Sequence, residues 1–349
     1  MSAGAAPPAI PVFDGHNDAL TREDADGFVA GRPGGHLDLP RARAGGLAGG
    51  IFALFTDTPG YDPTFEPTPD GRLDVPLAPP IGADLAAPHA TAVAGRLLGL
   101  ERAGHVRLAR GPGDLNAARA DGVLAAVMHL EGAEAIDPGL DALELWHAAG
   151  LRSLGPVWSR SNHFGHGVPF AFPALPDAGP GLTADGRALV RRCADLGIAV
   201  DVSHLNEAGF WDVARIDAAP LIASHSAVHA LAAATRNLTD AQLDAIGASG
   251  GLVGVVFAAP FLRADGRDEP DTPLATLVAH VRYVADRIGV EHVALGSDFD
   301  GATIPAELGD VAGLPRLLDA LAGAGFTGAE LRAIAWDNWR RVLERAWSG

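Results

Sequence analysis

The sequence predicts an α/β fold, a TIM-type (β/α)8 barrel formed as a single domain over residues 1–349, and three observations carry that reading. Short apolar, β-branched runs alternate with longer helical patterns from one end of the chain to the other. About eight such units fill the length, which suits one barrel better than a doubly wound sheet. Ionisable residues close many of the apolar runs and are scattered along the whole chain, as a barrel active site requires. A dinucleotide fold would instead place a glycine fingerprint after its first strand, where this chain has Asp14-Gly15-His16-Asn17-Asp18.

Taken in order, strands are expected at Val12–Asn17, Gly50–Phe55, Val123–Leu130, Leu151–Val157, Ile198–His204, Pro220–Ser224, Leu252–Phe257 and His292–Ser297. Near-continuous hydrophobic runs of this kind belong to parallel strands buried on both faces. Helical periodicity separates most of them, for example at Asp84–Arg102, Thr183–Leu196, Glu207–Arg215, Asp240–Ser249 and Pro273–Ile288. Two segments break the pattern, Thr56–Ile81 and Ser159–Gly181, both rich in Pro, Gly and aromatic residues. Each directly follows a strand, so they are expected as long strand-to-helix loops that wall or cover the C-terminal face.

Charge and composition exclude several classes. Lys plus Arg number 26 against 43 Asp plus Glu, a formal charge of −17. Such a surface repels phosphate backbones and anionic lipid, so neither nucleic acid nor a membrane is an expected partner. The single cysteine, Cys193, allows no intramolecular disulfide and no thiolate cluster, and reads as a packed helix thiol. No stretch approaches the ~20 apolar residues of a membrane span. Met1–Pro8 lacks the basic segment and apolar run of a signal peptide, and a soluble, cytoplasmic protein is the expectation.

The strand ends carry the chemistry. His16 and Asp18 close the first strand, Glu131 the third, His204 the fifth, His225 the sixth and Asp298 the eighth. Residues two apart on a strand point to one side, so His16 and Asp18 can reach the same ion. Imidazole and carboxylate suit zinc, and also manganese, cobalt or iron. None of these residues is informative alone, but polar groups have no structural reason to close five apolar strands. Three imidazoles and three carboxylates exceed the needs of one catalytic ion with an open position, which points to two ions with Glu131 placed to bridge them. A pair of ions that shares a hydroxide and polarises a carbonyl is the chemistry of amide and ester hydrolysis.

Other residues are less decided by sequence. His129, two before Glu131, reads as a packing group or a support behind the ligands. His163 and His166, in the long loop after the fourth strand, stand between substrate contact and plain loop residue. Arg236, just before the helix opened by Thr239, has the fork geometry to grip a carboxylate. Read by itself, it is a solvated surface residue.

Together these pieces resemble the membrane (renal) dipeptidase family, zinc peptidases of the amidohydrolase superfamily. The matching segments are Asp14-Gly15-His16-Asn17-Asp18, Glu131-Gly132, Asp201-Val202-Ser203-His204, Ser224-His225-Ser226, Arg236-Asn237 and Gly296-Ser297-Asp298-Phe299-Asp300-Gly301, in the family's order over nearly the whole chain. The resemblance implies two zinc ions bridged by Glu131 and a hydroxide, with His16 and Asp18 on one and His204 and His225 on the other. It implies that Asp298 shuttles the proton, that Arg236, next to Asn237, binds the C-terminal carboxylate of a dipeptide, and that a D-residue is tolerated on that side. A homodimer is a further implication. One departure stands out: where the family carries a histidine after strand four, the matching position holds Trp158, which donates one hydrogen bond but carries no proton. Either His163 or His166 substitutes, or Trp158 reshapes the pocket. The alternative substrate is therefore another small amide, an N-acyl amino acid or a lactone.

Overall fold

A strand built only of apolar residues must be covered on both faces, and this chain achieves that by closing its sheet. The computed structural model describes residues 10–68, 70–216 and 220–348. The strands are β1 (Val12–Asn17), β2 (Leu47–Leu54), β3 (Leu73–Val75), β4 (Val106–Leu108), β5 (Leu124–Glu131), β6 (Leu151–Gly155), β7 (Phe170–Phe172), β8 (Ala199–Val200), β9 (Ile222–Ser226), β10 (Leu252–Val255) and β11 (Val293–Leu295). Eight form the barrel, in two arcs. One arc runs β1-β2-β5-β6-β8 and the other β9-β10-β11, all parallel. The arcs meet at two seams, each a single bridge: Asp201 to Ile222 and Asn17 to Phe299. Backbone hydrogen bonds seal them, with Val202 N donating to Ile222 O (2.9 Å) and Asp18 N to Phe299 O (2.8 Å).

Alternation divides the core. One set of side chains, among them Leu54, Leu130, Leu154, Val200 and Val253, packs between the sheet and the surrounding helices. The other set, including Phe13, Ile51, Val127, Ala199, Ile222, Leu252 and Ala294, fills the barrel together with Trp336 and Trp339. Trp339, on the last helix Asn338–Ala346, is fully buried, and its Nε1 donates to Leu295 O (2.8 Å). The N-terminal end of the barrel is therefore plugged, and only the C-terminal end is open to chemistry.

Strand boundaries shifted for local reasons. Pro220 has no N–H to offer a ladder, so the sixth barrel strand begins at Ile222 and extends through Ser226 rather than covering Pro220–Ser224. The fifth ends at Val200 because Ser203 N donates to Asp201 Oδ1 (3.1 Å) and turns the chain out of the sheet. His204 consequently lies beyond its strand, not at its last position. Helix starts were closer. Thr239 caps Asp240–Ala248 in a capping box with Gln242. The two loops expected as irregular instead pair with each other: β3 and β7 form an antiparallel ribbon over the open end, Leu73 opposite Phe172 and Val75 opposite Phe170.

Two β-bulges matter more than any boundary. Between Asp14 and Asn17, three steps along β1 match two steps along β2. Between Ala223 and Ser226, three steps along β9 match two along β10. An extra residue re-aims the side chains that follow it, and the residues at these two irregularities include His16 and His225. Asp18 lies one residue past the end of β1, and its side chain comes to the same side as that of His16. Among the described residues no helix is long and apolar enough to cross a membrane, and Met1–Pro8, expected to carry no signal peptide, lie outside the described residues.

Candidate metal centre

Glu131, the last residue of β5, is the centre of the site. Its Oε1 lies 3.0 Å from His204 Nε2 and 3.5 Å from His225 Nε2, while its Oε2 lies 3.5 Å from His16 Nε2. His16 Nε2 is also 3.6 Å from Asp18 Oδ2. The five residues are buried, each at most 7% exposed. One carboxylate thus faces two separate donor groups, Glu131 with His204 and His225, and Glu131 with His16 and Asp18.

These spacings fit cations. Two ligand atoms each ~2.1 Å from a tetrahedral ion stand ~3.4 Å apart, and donor atoms here face one another at that range. His16 Nδ1 and Nε2 and Asp18 Oδ1 are buried without any hydrogen-bond partner, a costly arrangement unless something else engages them. Electrostatics agree. Burial opposes an imidazolium at His16, yet Glu131 and Asp18 outweigh it and hold His16 well above the usual histidine range. Burial likewise opposes a charged Glu131, and His16 and His204 outweigh it, leaving that carboxyl well below its usual range. The site therefore draws positive charge to the place between them. Burial, reinforced by Arg236, pushes His204 down to about 4, and burial with His16 holds His225 well below its ordinary value, so both offer neutral, ligand-ready rings.

The ring orientations are set from behind. Ser159 Oγ meets His204 Nδ1 at 3.0 Å, and Ser224 Oγ meets His225 Nδ1 at 2.7 Å, leaving each Nε2 for the centre. His129 is buried behind the candidate ligands, its Nδ1 2.9 Å from Ser153 Oγ. Asp14 is a carboxylate whose role the sequence did not reveal: it accepts from Ser297 N (2.7 Å) and Ser297 Oγ (2.9 Å) across the β11–β1 seam. Its place in the Asp14-Gly15-His16 segment was the only sequence signal for it. Asp201 does the same across the other seam, accepting from Ser224 N at 2.9 Å.

Asp298 lies on the cleft wall with left-handed backbone (φ 61°), as does Asp300 (φ 72°). Aspartate tolerates that region better than most residues, and such outliers persist where surroundings over-determine them. Here the side chain of Asp300 takes a hydrogen bond from buried Arg32. Gly301 leaves the room this turn needs, because a Cβ there would sit 2.4 Å from both Asp18 Oδ2 and Asp298 Oδ1. Burial, with Asp18 and Glu131 adding to it, pushes Asp298 up to about 7.

The structure brings Arg236 to the centre, buried rather than solvated. Its Nη2 donates to His225 O (3.0 Å) and lies 3.3 Å from His204 Nε2, its Nη1 donates to Ser203 O, and its Nε has no partner. Asn237 supports from below: its Nδ2 donates to Ala232 O and Phe261 O, both at 2.8 Å. Trp158 is half-buried on the cleft wall, its ring 5.8 Å from that of His204 and 4.8 Å from Phe55. His163 is not brought to the site. It lies half-exposed, with Nε2 2.5 Å from Asp185 Oδ2, because the turn Asn162–Gly165 directs it toward the helix Ala184–Asp195. His166 meets Ser161 Oγ at 3.0 Å and is likewise outside the cluster. Above the centre opens a cleft of about 1050 Å³, walled by Phe55, Phe65, Trp158, Phe170 and Phe261 on one part and by Asp18, Asp298 and Asp300 on another.

A parallel barrel with imidazoles and carboxylates converging at its C-terminal end, around a central glutamate, defines a metal-dependent hydrolase of the amidohydrolase superfamily. The model of the membrane dipeptidase family (peptidase family M19) matches residues 5–348, and the chain belongs to that family. It is a hydrolytic metallopeptidase, a metallodipeptidase by family. A crystal structure of a metallopeptidase from Rhodobacter sphaeroides, liganded with a phosphinate mimic of the dipeptide L-Ala-D-Ala, is similar with a TM-score of 0.93 and 48% identity, covering 97% of this chain and 99% of that one. A second structure of the same family, the dipeptidase AC, has a TM-score of 0.91 at 48% identity with the same coverage. An uncharacterised protein from the pqqA 5′ region of Klebsiella pneumoniae is 51% identical over 245 residues, 70% of this chain and 90% of its own.

Proposed function

We propose that this chain hydrolyses free dipeptides, L-Xaa-D-Xaa included, at a centre of two zinc ions that Glu131 bridges, manganese or cobalt fitting the same donors. The observation that carries this reading is the division of Glu131, one oxygen toward His204 and His225 and the other toward His16 beside Asp18. When bound, such ions supply a hydroxide near neutral pH and polarise the scissile carbonyl. Asp298 takes the proton of the attacking water and returns it to the leaving amine, a role that suits a carboxyl pushed up to about 7. Arg236 holds the C-terminal carboxylate through the donor at Nε that the protein leaves unused. Trp158 forms an apolar wall for the residue on that side, close to His204. The R. sphaeroides relative, bound to its L-Ala-D-Ala mimic, supports a D-residue there.

A second reading keeps the centre and changes the substrate to an N-acyl amino acid, another small amide or a lactone. It is favoured by Trp158, which stands on the cleft wall with its ring 5.8 Å from that of His204 and can donate a hydrogen bond but carry no proton. The deciding experiment incubates zinc-loaded protein with L-L and L-D dipeptides, N-acetyl amino acids and simple lactones, and quantifies the products. Turnover of dipeptides is expected. Turnover confined to the acylated or lactone substrates would replace the first reading with the second.

A further inference from the structure

Among the described residues, only His225 reaches the centre from the smaller arc with an imidazole, and a chain of hydrogen bonds leads away from it. Ser224 Oγ lies 2.7 Å from His225 Nδ1 and donates to Asp201 Oδ2. Asp201 is 4% exposed and receives four hydrogen bonds: Ser203 N (3.1 Å), Ser203 Oγ (2.6 Å) and Ser224 N (2.9 Å) at Oδ1, and Ser224 Oγ at Oδ2. Ser203 Oγ accepts from His225 N at 3.1 Å, so its own proton is committed to Asp201. With four donors aimed at it, Asp201 acts as an acceptor only. The direction of the chain then has one solution. The Ser224 hydroxyl gives its proton to Asp201, and its oxygen is left to accept from His225.

We propose that Asp201 is a positioning residue that fixes the tautomer of His225: it holds the imidazole proton on Nδ1 through Ser224 and so keeps the Nε2 lone pair directed at the metal centre. The inference rests on His225 being a metal ligand. A metal-bound imidazole ordinarily meets its supporting carboxylate directly; here a serine relays the polarity between them. Asp201 lies at the β8–β9 seam, where the arcs share one bridge. The same carboxylate therefore orients the ring and ties together the strands that bring His204 and His225 within 3.0 Å.

The relay makes an unusual prediction. In Asp201→Asn, Oδ1 still accepts from Ser203 and Ser224, but the new Nδ2–H2 must donate to Ser224 Oγ. The hydroxyl proton then turns to His225 Nδ1 at 2.7 Å, nearer than the other acceptor, Ser203 Oγ at 3.3 Å, which puts the ring proton on Nε2 and blocks the ligand atom. Ser224→Ala, by contrast, only removes the relay and leaves His225 free to adopt either tautomer. The near-isosteric variant should thus be the more damaging one for metal binding. The experiment is equilibrium dialysis against a zinc buffer with elemental analysis, on wild type, Asp201→Asn, Ser224→Ala and His225→Ala, together with ¹⁵N chemical shifts of His225 in the metal-free wild type. Expected are a ring proton on Nδ1 in wild type, about a 10–100-fold weaker affinity for one ion in Asp201→Asn, and a smaller loss in Ser224→Ala. Equal affinity of Asp201→Asn and wild type, a loss in Ser224→Ala as large as in Asp201→Asn, or a wild-type proton on Nε2 would overturn the proposal. If His225→Ala keeps every ion, it is instead the ligand assignment beneath the proposal that fails.

Discussion

Replacing Asp298 by Asn separates catalysis from stability in opposite directions. Asparagine occupies left-handed backbone as readily as aspartate, so the φ of 61° at this position is preserved. The substitution removes the proton acceptor while keeping a side chain of the same shape beside Asp18 and Gly301. General acid–base groups contribute ~10²–10⁴ in rate, so turnover should fall by two to four decades, about 3–5 kcal/mol of barrier. Stability of the metal-free protein should move the other way. Burial raises the Asp298 carboxyl from 3.8 to about 7, so the folded protein binds this proton more tightly than the unfolded chain does. Stability from this group is then complete below pH ~4 and is lost as pH rises through about 7. At ~1.36 kcal/mol per pH unit, that interval amounts to at most about 4 kcal/mol. Asn carries no such penalty. Denaturant unfolding of chelator-treated protein at pH 8 should therefore show Asp298→Asn more stable than wild type, with the difference vanishing near pH 4. Bound metal would offset the penalty in wild type, so the gain belongs to the metal-free form. A variant that is inactive yet no more stable at pH 8 would refute the electrostatic argument, and one that turns over at a tenth of the wild-type rate or better would refute the proton-shuttle role.

The remaining expectations concern ligands, substrate and packing. His204→Ala and His225→Ala should each lose about one metal ion per chain by elemental analysis, since each removes a neutral imidazole Nε2 within 3.5 Å of Glu131 Oε1; unchanged content would dismiss the assignment. Arg236→Ala should raise KM for free dipeptides far more than for C-terminally amidated ones, and equal effects would dismiss the carboxylate contact. It should also lower stability, because Ser203 O and His225 O lose their donors. Gly15→Ala would place a Cβ 2.3 Å from Trp339 Cζ2 and 2.6 Å from Ser224 O. Such overpacking costs at least about 1–3 kcal/mol, measurable as a lower denaturation midpoint, and a wild-type midpoint would show that the barrel floor can yield.

Much of the fold was legible because a parallel barrel strand leaves a plain record. Both of its faces are buried, so it reads as a continuous apolar run, and the ionisable residue that ends the run marks the mouth. That logic located all eight barrel strands and placed His16, Asp18, Glu131, His204, His225 and Asp298 at one end. It did not foresee β4, which pairs with the first half of β5 on the edge that β6 covers later; three residues are too few to show a period. Nor did it foresee the β3–β7 ribbon, whose partners lie about a hundred residues apart and signal nothing locally.

The candidate metal-binding groups were thus legible in the sequence alone, since only a few side chain types can serve as ligands and the segments that end barrel strands gather at one mouth. Their aim was decided by tertiary structure. The bulges at His16 and His225 exist only as mismatches between two strands, and a mismatch is a property of the pair. Arg236 looked solvated because its burial depends on the carbonyls of Ser203 and His225, supplied by segments 33 and 11 residues away. His163 looked like a contact because a loop residue's direction follows from the turn it sits in, and that turn delivers it to Asp185. Hydrogen-bond partners and side-chain direction are relations between distant segments, so they became definite only when the barrel closed.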